Sequence, residues 1–146
     1  MAITRFAEAT WNGDLINGSG SIDYVSSGAF ARMPVTWASR TEEHNGRTSP
    51  EELMASAHAA CFSMAFSAQL ARNSTPATKL AVKCVVTFDK TDAGWRITRS
   101  DLTVVGTVAG IDQAKFAELA ENAKVGCPIS SALRETITLS VDAKLA

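Results

Sequence analysis

Cysteine is scarce in this chain, and no Cys-x-x-Cys pair occurs: the three cysteines stand alone at positions 61, 84 and 127. In a reducing compartment, isolated thiols of this kind are core residues or chemistry, not structural disulfides. Net charge is equally scarce. Fourteen Lys and Arg against fifteen Asp and Glu leave −1, which argues against nucleic acid or an anionic membrane as the main partner. There is no charge run, low-complexity block, internal repeat or linker. The opening "MAITRFAEATWNG" lacks the basic-then-apolar build of a signal peptide, so a cytoplasmic protein is expected. A long uninterrupted apolar run is missing too. Met54 to Ala71 comes nearest, but Ser56, His58, Ser63, Ser67 and Gln69 break it, which points to a buried soluble helix rather than a membrane span.

What is present fits one globular domain over residues 1–146, with 46% apolar and 20% charged residues. Strands are expected over residues 4–12, 22–25 and 33–39, followed by a polar loop, "RTEEHNGRTS", at 40–49. Ser49 then reads as a helix N-cap, with Pro50 at the first helical position and Glu51 and Glu52 in the first turn. Apolar residues on nearly every face from Leu53 to Ala71 predict a central helix. Leu80, Val82, Cys84, Val86 and Phe88 alternate with polar residues as a half-buried strand does, and "DKTDAG" turns the chain into a second strand over 95–108. The pattern of that second strand shifts near Arg99 to Asp101, where a bulge is expected. Asp112 caps a helix to about Lys124, Cys127-Pro128 opens a short helical turn, and Ile137 to Leu145 alternates as a last strand. The order is α+β.

The cysteines differ in what their surroundings imply. Cys84, between Val82 and Val86, reads as core. Cys127 precedes a proline at a helix start, where free backbone N–H groups favour thiolate. Cys61 lies deep in the long helix, where burial alone raises a thiol pKa and leaves it inert. It reads as core unless a cation arrives from outside its own helix. Arg40 is one candidate, Arg32 and Arg47 are others, and His58 is one turn away.

The stretch "TSPEELMASAHAACFSMAFS", followed by "CPISSAL" with Cys127 66 positions after Cys61, resembles the osmotically inducible protein C and organic hydroperoxide resistance family. The resemblance covers nearly the whole chain, element order included. It implies an OsmC-like α+β fold, with β-sheets around a long central helix in an intertwined homodimer. It also implies a thiol peroxidase in which Cys61 attacks the peroxide, Cys127 resolves the sulfenic acid as a disulfide, Arg40 activates the thiol and Glu51 holds Arg40. Arg40, just before the helix, places the chain nearer the osmotically inducible branch. An organic hydroperoxide is the implied substrate, a dithiol such as a lipoylated protein the implied reductant, and no metal or organic cofactor takes part.

Glu51 and Cys61 lie ten residues apart on one predicted helix, about 15 Å along its axis. A glutamate side chain does not span that gap. If both serve one site, Glu51 and Arg40 come from a second subunit, so a homodimer with composite sites is expected. Two other readings stand beside this one. His58, Cys61 and Cys127 offer a zinc-binding set, and the cysteines of a non-enzymatic binding or stress protein would simply be buried.

Overall fold

The computed structural model describes residues 1–146. Its elements are β1 (Ala7–Asn12), β2 (Ser19–Val25), β3 (Ala31–Val35), α1 (Ala38–Thr41), α2 (Pro50–Arg72), β4 (Ala77–Thr91), β5 (Gly94–Val108), α3 (Gln113–Gly126), α4 (Pro128–Leu133) and β6 (Thr138–Leu145). The mixed α+β class is as expected. The chain divides into two compact units, Met1–Leu53 and Met54–Ala146.

In the first unit β1, β2 and β3 form an antiparallel sheet in that order. The third strand is shorter than the sequence suggests. It stops at Val35, and the chain turns into the single helical turn α1, so Arg40 stands on a turn of helix and not in a loop. Ser39 drives this turn. Its hydroxyl shares one proton between the carbonyls of Thr36 at 2.8 Å and Thr48 at 3.0 Å, and its N–H donates to the Thr36 hydroxyl. A parallel bridge between Val35 and Thr48 draws the next segment alongside. At the start of α2, the Glu52 N–H donates to the Ser49 hydroxyl at 3.2 Å, the N-cap read from the sequence.

In the second unit β5 lies between β4 and β6, antiparallel to the first and parallel to the second. The register slips where Thr87 faces Arg99 but Phe88 faces Ile97. Thr98 is therefore the extra residue of a bulge, one position before the expected place. Inward-facing Leu102 and Val104 of β5 and Ala143 of β6 bury against Phe62, Phe66 and Leu70 of α2 and against Phe116, Leu119, Ala120 and Ala123 of α3. The rings of Phe66 and Phe116 lie 4.9 Å apart. Gly106 makes room for this layer, since a Cβ there would come within 2.4 Å of the Phe116 ring. Asp112 caps α3 by accepting from the Lys115 N–H at 2.8 Å. The helix runs through Gly126, two residues beyond the expected end.

The expectation that α2 is covered on every face needs correction. Its Phe62, Phe66 and Leu70 side is buried, but Ala57, Ala60, Met64, Ser67, Ala68 and Ala71 are exposed in the single chain. No helix is long and apolar enough to cross a membrane.

Candidate active site

Two constellations carry chemistry, one in each unit. In the first, α1 and the first turn of α2 bring Arg40 and Glu51 together. The guanidinium donates from Nε to Oε2 at 3.2 Å and from Nη2 to Oε1 at 2.7 Å, a bidentate pair. It also lies over the Trp37 ring, 5.5 Å from its centroid. Glu51 is buried, at 8% exposure, which keeps the pair only partly screened by water. Of the three arginines weighed from the sequence, Arg40 alone holds a carboxylate; Arg32 and Arg47 are exposed.

In the second unit the reactive-thiol candidates meet. Cys61 sits midway along α2, half-buried, and Cys127 sits between α3 and α4, fully buried. Cys127 lies near enough to act on the Cys61 thiol. Burial pushes the Cys61 thiol up, the Ile129 backbone N–H that points at it pulls it down, and the neighbouring Cys127 pushes it up again. The net direction is upward, which is the result of burial without a cation at hand. A groove of about 330 Å³ opens beside Cys61 and is walled by apolar Met64, Ala65, Ala68 and Pro128. Arg72 borders this groove but is not among the groups acting on the thiol.

The free N–H groups at the start of α4 were expected to serve Cys127. Instead Cys127 makes no side-chain cap bond there, and the Ile129 N–H is directed to Cys61. Pro128 has no N–H to give, so residue 129 supplies the donor. Ile129 was therefore missed, because a main-chain donor leaves no residue-type signal.

His58 was left open by the sequence. It is fully buried, with Nδ1 2.7 Å from the Ser100 hydroxyl and Nε2 2.8 Å from the Ser130 hydroxyl. Burial pushes its pKa down, which keeps the imidazole neutral. With both nitrogens engaged by serines, it is not arranged as a zinc ligand beside Cys61 and Cys127, and no group of three His, Cys, Asp or Glu side chains is placed to hold a metal ion. Cys84 packs against the core, its sulfur 3.2 Å from the Ser100 hydroxyl, and burial raises its thiol pKa. Ser100 was the second omission. A serine in an otherwise apolar inward row, with Leu102 and Val104, is a signal that some buried partner needs a hydroxyl.

A fold built on these sheets and helices, with a paired thiol on the long helix, defines a class of small α+β proteins with a cysteine pair at its centre. Residues 43–142 match the family model described as OsmC-like protein. The chain is 39% identical over 144 residues, 99% of each chain, to "Peroxiredoxin OsmC" of Escherichia coli strain K12. This protein belongs to the OsmC-like family. Among solved structures, an organic hydroperoxide resistance protein from Elizabethkingia anophelis superposes with a TM-score of 0.74 at 20% identity, covering 100% of both chains. OhrB of Bacillus subtilis superposes with a TM-score of 0.67 at 23% identity, covering 97% of this chain and 98% of the other. At such identities the superpositions speak for the fold.

Proposed function

We propose that this protein is a thiol-dependent peroxidase that reduces organic hydroperoxides to alcohols, with Cys61 as attacking thiol and Cys127 as resolving thiol. The observation that carries the reading is a buried Cys127 placed beside Cys61, whose side chain borders a largely apolar groove. Kinship with a protein named as a peroxiredoxin supports it. The Cys61 thiolate donates its electron pair to the distal peroxide oxygen, the O–O bond breaks, and the alkoxide takes a proton and leaves as the alcohol. Cys127 then attacks the sulfenic sulfur. A disulfide forms and the hydroxyl leaves, with a proton, as water. A dithiol, of lipoyl type or similar, returns two electrons and two protons by exchange. The apolar groove favours an alkyl tail over hydrogen peroxide, since each buried CH₂ contributes roughly 0.8 kcal/mol.

In this reading Arg40 activates the thiol. A guanidinium fixed by Glu51 favours thiolate and stabilises the charge that develops as the O–O bond breaks. The upward direction of the Cys61 pKa in a single chain supports delivery of this cation by a second copy. So does the continuity of α2, in which ten residues from Glu51 to Cys61 rise about 15 Å. The exposed Met64 side of α2 and the exposed aromatics of the first unit supply surface for that copy. The whole chain, residues 1–146, then acts as one domain of a homodimer with composite sites. A reducing, cytoplasmic setting suits a cycle that closes by dithiol exchange.

The test is a thiol count. One equivalent of cumene hydroperoxide added to the reduced protein is expected to remove two of the three thiols, with both restored by a dithiol. A count that stays at three identifies a non-enzymatic protein with buried cysteines.

A further inference from the structure

The reading of Cys61 and Cys127 as the reacting pair leaves one feature unused. A fully buried histidine is tied at both nitrogens close to that pair. Placing an imidazole in a core is unfavourable unless its nitrogens find partners, and a leucine would fill the space without needing any. What the histidine adds is direction.

The placement is specific. On α2, His58 precedes Cys61 by three residues, close to one helical turn; on the other side, Ser130 follows Cys127 by three. The His58–Ser130 bond of 2.8 Å is thus a second rung beside the Cys61–Cys127 contact, one turn away on each side. Helix α4 has only six residues and no side-chain cap at its start, so it does not hold its own position. Its far end is tied to α3, where the Arg134 guanidinium donates to the Val125 carbonyl at 2.7 Å. The Ser130 rung ties it to the helix that carries Cys61. Ser130 also follows Ile129 directly, and the Ile129 N–H is the donor aimed at the Cys61 sulfur. The opposite face of the imidazole is anchored by Ser100 on β5, which also touches the Cys84 sulfur at 3.2 Å. No charged side chain is hydrogen-bonded to the ring.

We propose that His58 is a positioning residue: through Ser130 it fixes α4 against α2, so that Cys127 meets the Cys61 sulfenic acid before a second hydroperoxide does. This rests on the peroxidase reading above. The competing step is defined chemically. A second hydroperoxide transfers its distal oxygen to the sulfenic sulfur, giving a sulfinic acid and another molecule of alcohol, and the cycle ends there. The balance between disulfide and sulfinic acid therefore reports how well Cys127 is held.

The experiment compares Ser130→Ala with Ser100→Ala in the full chain. Each removes one hydroxyl from the same imidazole, Ser100→Ala losing the Cys84 contact as well, but only Ser130→Ala cuts the tie to α4. Reduced protein is treated with a tenfold excess of cumene hydroperoxide. Disulfide and sulfinic acid at Cys61 are then counted by intact mass after alkylation, and thermal midpoints are recorded in parallel. The expected result is a ratio of sulfinic acid to disulfide raised about tenfold in Ser130→Ala, the scale of one hydrogen bond. Ser100→Ala is expected to lose similar thermal stability and keep the wild-type ratio. Equal ratios in the two variants, or a wild-type ratio in Ser130→Ala, overturn the positioning role while the peroxidase reading stands. A wild-type protein that loses no thiols to the peroxide overturns the peroxidase reading, and this proposal with it.

Discussion

The two units of the chain bury different things. The unit Met54–Ala146 holds every residue of the apolar core, from Phe62 to Ala143. In Met1–Leu53 the buried residues are Ser39, Thr48, Ser49 and Glu51, all polar, while Phe6, Trp11, Tyr24 and Phe30 stay 38–58% exposed. One unit is stabilised by hydrophobic burial and carries the thiols. The other is held by hydrogen bonds and presents a fixed cation, with aromatic surface still open to water. A sheet in that condition gains stability when a second surface covers it. The contrast separates the thiols from the fixed Arg40 guanidinium along one chain.

The most severe break in this comparison is chemical. Cys61→Ser is expected to reduce peroxide consumption to background, and Arg40→Ala to lower kcat/KM by roughly 10²–10³-fold, the usual effect of deleting a charge-stabilising donor. Both are read by hydroperoxide consumption with a dithiol present. Mixed dimers of Cys61→Ser and Arg40→Ala subunits should recover part of the rate if one copy supplies the cation for another; verified heterodimers without recovery rule out the composite site.

Stability sharpens the contrast next. Phe66→Ala, in the packed core, is expected to cost about 3–5 kcal/mol in chemical denaturation. Phe6→Ala loses an aromatic of the same size from the first unit. Phe6 is 58% exposed and meets Tyr24 edge-on at 6.0 Å, so the cost within one chain should stay below about 1.5 kcal/mol. Sedimentation velocity should show it shifting self-association toward monomer. A Phe6→Ala variant as destabilised as Phe66→Ala, with self-association unchanged, would mean the first unit is complete without a partner.

The smallest effect concerns pH. Burial holds the His58 pKa in the fold below its ordinary value of 6.5, so the unfolded chain binds the proton first as pH falls. His58 thus favours the fold above pH 6.5, and stability declines as pH drops from there toward the folded pKa. His58→Gln, which does not titrate, should show a shallower fall in thermal midpoint between pH 6.5 and 5. A slope equal to wild type would assign the acid sensitivity to other groups.

Much of this was legible from side-chain type. The Ser49–Pro50–Glu51 start of α2, the Asp112 cap, the strand alternation around Cys84 and the bulge within one residue of its place all follow from local rules about caps, periods and turns. The Cys61 and Cys127 motifs, and the Arg40–Glu51 combination, came from resemblance to a family. Three things escaped. The short α1 depends on the Ser39 hydroxyl reaching back to Thr36 and across to Thr48, a tertiary detail. The open side of α2 looked buried because alanine and methionine read as apolar whether they face a core or water. And the His58 cluster joins residues 42 and 72 positions apart, beyond the reach of any periodic pattern.

The donor aimed at the Cys61 sulfur belongs to the main chain at position 129. Nineteen of the twenty amino acids supply the same N–H, and proline alone withholds it. The side chain there is therefore free to change while that N–H stays in place. Ile129→Pro removes the group outright, and a survey of relatives by residue identity would pass over the position.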